Sequence, residues 1–187
     1  MRYIPHTRTP PRIYQMRTLG YKTFDEKDFD LNLVGVRSKN RRVDSFDDHF
    51  CVFYKEGGMW VEERYKCTVD AGAYWMQNPY KEEGCAILKA GQYRGVWSID
   101  LHRGSYSALC QKDNAPVTVW RDSNKDLIQD QRASETGYFG INCHRAYSDK
   151  VLTNQKVGKF SAGCTVLQHP ADFARLMMLC RMQVAAG

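Results

Sequence analysis

Apolar and polar positions alternate with a period of two through most of this chain, and the elements they predict are strands. Residues 31–36, 49–54 and 59–67 follow that pattern, and Glu56, Gly57 and Gly58 between the last two have the composition of a hairpin turn. Further strands are expected at 85–88, 95–101, 106–110 and 117–120, punctuated by Gly91, Gly104 and Pro116. Residues 137–144 and 164–168 close the series. Helical spacing is confined to two places. Residues 13–19 form a short helix stopped by Gly20. Pro170 opens a late helix whose buried stripe is Phe173, Leu176, Met177, Cys180 and Val184, with Asp172 in the first turn, where the dipole favours a carboxylate.

Many short strands with regular turns imply a mainly β fold, a single-domain antiparallel sandwich or barrel with a short N-terminal helix and a C-terminal helix. Three prolines and three arginines in the first dozen residues read as an unstructured or loosely docked arm. The expected division is 1–30 for arm and short helix and 31–187 for the functional domain.

Composition narrows the classes. At 187 residues, 43% hydrophobic and 26% charged, the chain can bury a full core without disulfides or metal. No run approaches the roughly 18 apolar residues of a membrane span, and the first residues lack the apolar core of a secretory signal. Seven cysteines without a C-x-x-C pair argue against a disulfide scaffold; Cys51, Cys67, Cys85, Cys110 and Cys180 are expected as small buried hydrophobes. A net charge of +6 suits an anionic partner. The only basic cluster, Arg37 to Arg42, reads as a solvated loop, and no nucleic-acid fingerprint accompanies it.

Chemistry concentrates near the end. Cys164 follows Ser161, Ala162 and Gly163 in a small-residue turn leading into an apolar strand. A glycine beside a nucleophile permits a tight backbone path along which successive N–H groups converge, a nest for an oxyanion. A thiol attacking an amide at neutral pH needs a lowered pKa or a nearby base, and an imidazole supplies either. His144 lies 20 residues upstream at a predicted strand end. Alternation puts Tyr138, Gly140, Asn142 and His144 on one face, and Phe139, Ile141 and Cys143 on the core side. His144 is therefore expected on the more open face beside Asn142.

The block from 137 to 168, with His144, Ser161, Gly163 and Cys164 in that order, resembles the signature of the YkuD-type L,D-transpeptidase superfamily. There a histidine precedes a Ser/Thr-His-Gly-Cys turn by roughly fifteen residues; Ala162 stands where that second histidine usually is. The wording around 31–38, 91–97 and 119–124 is closer to a phage- and prophage-encoded branch, a likeness covering 31–180.

The resemblance implies an L,D-transpeptidase-type catalytic domain in which Cys164 is the nucleophile and His144 the general base. The amides of Ala162, Gly163 and Cys164 would line the oxyanion hole, with Ser161 and Asn142 in support. Tyr93, Arg94, His102 and Arg145 are the expected substrate contacts, the first two on the resemblance alone; the plainer role for His102, with Arg103, is capping a hairpin. The implied substrates are peptidoglycan stem peptides. The leading expectation is a phage-type, lysin-like peptidase made in the host cytoplasm without a signal peptide and acting on the cell wall. Exchange chemistry on the wall, or a non-catalytic virion or wall-binding module, are the alternatives.

No metal or cofactor is expected. Adjacent Cys143 and His144 point to opposite faces of a strand, which disfavours a zinc site with Cys164. Asp122, Asn124 and Asp126 have the spacing of a calcium loop but lack its glycine and distal glutamate, so a plain polar turn is expected.

Overall fold

The computed structural model describes residues 2–148 and 156–187. Its strands are β1 (Arg2–His6), β2 (Asn32–Val36), β3 (Asp48–Glu56), β4 (Met59–Thr68), β5 (Cys85–Leu88), β6 (Trp97–His102), β7 (Tyr106–Gln111), β8 (Val117–Asp122), β9 (Ala133–Gly137), β10 (Cys143–Arg145) and β11 (Thr165–Leu167). Three helices accompany them: α1 (Pro11–Thr18), α2 (Ala73–Gln77) and α3 (Pro170–Ala185). The fold is mainly β, with a sheet curled into a half-barrel and a C-terminal helix.

The large sheet runs β2-β3-β4-β11-β10-β7-β6, with β1 added beside β4. A smaller sheet runs β5-β8-β9. Phe50, Val52 and Tyr54 of β3 enter the main core with Leu109, Cys143, Leu167 and the α3 residues Phe173, Leu176, Met177 and Cys180. Cys51 and Phe53, on the other face, pack with Ile13 of α1 and Trp60. Both faces of β3 are therefore covered, which is why its sequence is an almost unbroken apolar run. Each large side chain buried this way contributes about 1.5–3 kcal/mol.

The β3–β4 hairpin turns through Gly57 and Gly58, both at positive φ (57° and 76°), a turn whose twist matches its strands.

Several expectations are corrected. The sheet is not wholly antiparallel: β10 and β11 are parallel, with Cys143 opposite Thr165 and His144 opposite Val166. The N-terminal arm is not loose, because β1 pairs with β4 from Arg2↔Arg64 to His6↔Trp60. Residues 137–144 do not form one strand. Gly140 takes φ +66 and breaks the extension, leaving β9 before the break and the three-residue β10 after it. Helix α1 begins at Pro11, and Val184 of α3 is 72% exposed, outside the buried stripe. Cys51, Cys67, Cys85 and Cys180 are buried, but Cys110 is only half-buried.

Candidate active site

Parallel pairing sets the two predicted catalytic residues on neighbouring stretches of one sheet, His144 in β10 and Cys164 just before β11. Asn142 accepts a hydrogen bond from the Thr165 N–H (2.9 Å), so the residue before each short strand sits beside its counterpart, Asn142 by Cys164. The Asn142 N–H points at the Cys164 sulfur (3.5 Å), and the thiol donates to the Gly140 carbonyl (3.4 Å). His144, two residues beyond Asn142, shares its face. Part of the segment between them, 149–155, lies outside the described residues.

Asn142 is the hub. All four of its polar groups are engaged: N–H to Cys164, C=O from Thr165, side-chain oxygen from the Gln111 N–H (2.9 Å), and side-chain NH2 to His102 Nδ1 (3.1 Å). The Gln111 bond fixes which end of the amide carries oxygen. His102 Nδ1 must then accept, and its proton sits on Nε2. His144 has the opposite tautomer. Its Nδ1–H donates to the Arg145 carbonyl (3.0 Å), which leaves a lone pair on Nε2. The two rings stack at 4.3 Å and 21°.

His144 is on the predicted face, but that face is not open there: the residue is only 5% exposed. Burial, with smaller contributions from His102 and Arg103, pulls its pKa down to about 4, against the opposing effect of the Arg145 carbonyl. Burial pushes the Cys164 thiol up, and the Asn142 amide and Arg103 charge offset this only in part. The resting state is therefore a neutral thiol and a neutral imidazole. Among the described residues no hydrogen bond joins them.

The turn before Cys164 is braced from within. Ser161, fully buried, donates through Oγ to the Cys164 carbonyl (2.8 Å) and accepts the Gly163 N–H (3.0 Å). That second bond corrects the predicted oxyanion nest: the Gly163 amide is already used, leaving those of Ala162 and Cys164 as the donors of this turn. Gly163 itself has φ +136, and a Cβ there would lie 1.9 Å from the Ala86 carbonyl of β5. Glycine is required by contact with the small sheet.

Of the predicted substrate contacts, two belong to the site and two do not. His102 and Arg145 line a cleft of about 270 Å³ with Arg103, Tyr106, His144 and Lys159. Tyr93 instead bridges the Lys89 and Thr118 carbonyls and packs against Trp97, and Arg94 lies over Phe24 at 5.9 Å. Tyr93 is a scaffold position, and Arg94 is exposed away from the cleft. A larger open groove of about 470 Å³, beside His6 and Trp60, contains none of the predicted residues. At 122–130 the Asn124 amide bonds Asp126 and Asp130, closing a polar turn.

Sequence reasoning missed Gln111. Its amide accepts the Ile141 N–H (2.9 Å) and donates to the Ala115 carbonyl (2.9 Å), holding the irregular stretch that delivers Asn142 and His144. Trp97 Nε1 donates to the Ile141 carbonyl (2.6 Å) to the same end. The available signal was weak: a glutamine closing a strand that also carries Ser107.

Comparison with known proteins adds no relatives: no family model, curated protein or solved structure matches the chain.

Proposed function

We propose that the chain is a cysteine-dependent enzyme acting on peptidoglycan, a phage-type peptidase that cleaves stem or cross-link peptides through an acyl-enzyme. The observation that carries the enzymatic part is the arrangement around Asn142. One residue holds a thiol through its backbone N–H and, through its side-chain amide and His102, a stacked imidazole whose Nε2 is free to take a proton. The wall substrate rests on the resemblance of 137–168 to YkuD-type L,D-transpeptidases and on the net charge of +6, which suits an anionic wall.

The proposed chemistry starts from neutral partners. The thiol turns from Gly140, gives its proton to His144 Nε2, and sulfur attacks the peptide carbonyl. The amides of Ala162 and Cys164 receive the developing oxyanion. The C–N bond breaks as the imidazolium returns the proton to the leaving amine. Because burial depresses His144, its protonated form is a strong acid and passes that proton on readily. Water, deprotonated by His144, then attacks the thioester carbonyl; the C–S bond breaks, the acid product leaves, and the imidazolium returns its proton to the Cys164 sulfur.

Digestion of purified peptidoglycan by wild type and Cys164→Ala tests this. Release of stem-peptide products should fall to background in the variant; undiminished release would refute the assignment. Adding a D-amino acid and following products by mass spectrometry separates hydrolysis from exchange.

A further inference from the structure

The cleft beside His144 has charge of one sign. Among the described residues that line it, Arg103, Arg145 and Lys159 are cationic and none is acidic. Its two histidines have depressed pKa values and are neutral at pH 7. Elsewhere on the surface, arginines find carboxylates: Arg17 with Asp25, Arg41 with Asp130, Arg121 with Glu135. Among the described residues, none of the three cleft cations does. Arg145 rests on the Tyr106 ring at 4.3 Å and Lys159 on the Tyr74 ring at 4.1 Å, aromatic faces that hold a cation without neutralising it. Arg103 stands exposed in the β6–β7 turn at φ 51.

Such a concavity attracts an anion, and guanidinium groups match the geometry of a carboxylate. His102, with its proton on Nε2, adds a neutral donor to the same wall. We propose that this cleft is the subsite for a free carboxylate of the substrate, bound by Arg103, Arg145 and Lys159 next to the scissile bond. The proposal rests on the peptidase reading above and specifies its substrate: a peptide with an unamidated carboxylate near the bond cut. A bound carboxylate also favours the imidazolium that forms on His144 during acylation, so its effect extends to kcat as well as KM.

The test compares two muropeptides that differ only in whether their carboxylates are free or amidated. Wild type should cleave the free form with kcat/KM about tenfold or more above the amidated form, the scale of a hydrogen bond to a charged group. Arg103→Gln, with its melting temperature checked against wild type, should lose most of that preference, and Arg103→Lys should retain part of it. Equal cleavage of both forms by wild type, or full preference in Arg103→Gln, overturns the subsite. If neither form is cut, the peptidase reading fails on its own, and calorimetric titration of Cys164→Ala with the two peptides decides the subsite. Tighter binding of the free form supports it; equal binding or none overturns it.

Discussion

Two buried clusters of ionisable groups lie in this molecule, and they handle charge in opposite ways. In the main core, Glu63 is fully buried yet charged. Burial alone would raise its pKa, but Arg175 and the hydroxyls of Tyr54 and Tyr65 bring it below the ordinary value. Arg175 reaches both carboxylate oxygens, at 2.6 to 3.1 Å, and the tyrosines donate at 2.7 and 2.6 Å. At the candidate site no carboxylate answers the burial of His144, and the Arg103 charge offsets that of Cys164 only in part. Cys164 shifts up, His144 shifts down, and both stay neutral. A compensated charge is locked and structural. An uncompensated neutral pair keeps a proton that can still move.

The contrast breaks most severely at Arg175. Arg175→Met leaves the Glu63 carboxylate buried without its cation and should cost about 3–5 kcal/mol, read from urea denaturation. Adding Glu63→Gln, which still accepts from both tyrosines, should recover most of the loss. Failure to recover would mean that packing of the Arg175 stem, and not charge, is what matters.

A comparable effect is expected at His144, but only in acid. Its folded pKa, about 4, lies below the ordinary 6.5, so the folded state resists a proton that the unfolded state accepts. The stability this gives is complete above about pH 6.5 and is lost as pH falls toward 4, roughly 3 kcal/mol in all. Asp48 works the other way. Burial and Asp70 raise it to about 6, so its penalty is relieved over a similar range. The difference between wild type and His144→Gln, measured by denaturation from pH 7 to 4, isolates the histidine. A constant difference would contradict the neutral assignment.

Gly163→Ala should cost at least about 2 kcal/mol, because the strained φ and the Ala86 carbonyl both oppose a side chain. Thermal unfolding measures it, and an unchanged midpoint would mean that β5 yields. The smallest change converts the neutral site toward the charged one. Asn142→Asp places a carboxylate against His102, whose pKa should rise by about one unit, followed by NMR titration of the imidazole. No shift would remove Asn142 from the hub.

Much of this was legible in advance, for reasons that differ by residue. Strands β3 and β4 announce themselves because their apolar positions face a core on one or both sides and Gly57-Gly58 fits only a tight turn. Cys164 and His144 were visible from residue types and spacing. Less visible was everything set by tertiary contact. The pairing of β1 depends on an exposed edge of β4, not on its own prolines and arginines. The parallel β10–β11 step, the loss of the Gly163 amide to Ser161, and the depth of His144 under His102 come from partners distant in sequence. Gln111 reads as an ordinary strand residue until the loop it holds is in place.

The contact between Gly163 and Ala86 changes how mutational drift at this site should be interpreted. Glycine at 163 is demanded by the packing of two sheets, so a descendant without the proposed activity would still retain it. The Asn142 side chain also serves the scaffold through the Gln111 N–H, but its bond to His102 and the tautomer it imposes there involve no sheet-to-sheet contact. Across lineages, a retained glycine therefore marks only an intact scaffold, while a retained asparagine-histidine pairing is what the proposed chemistry would require.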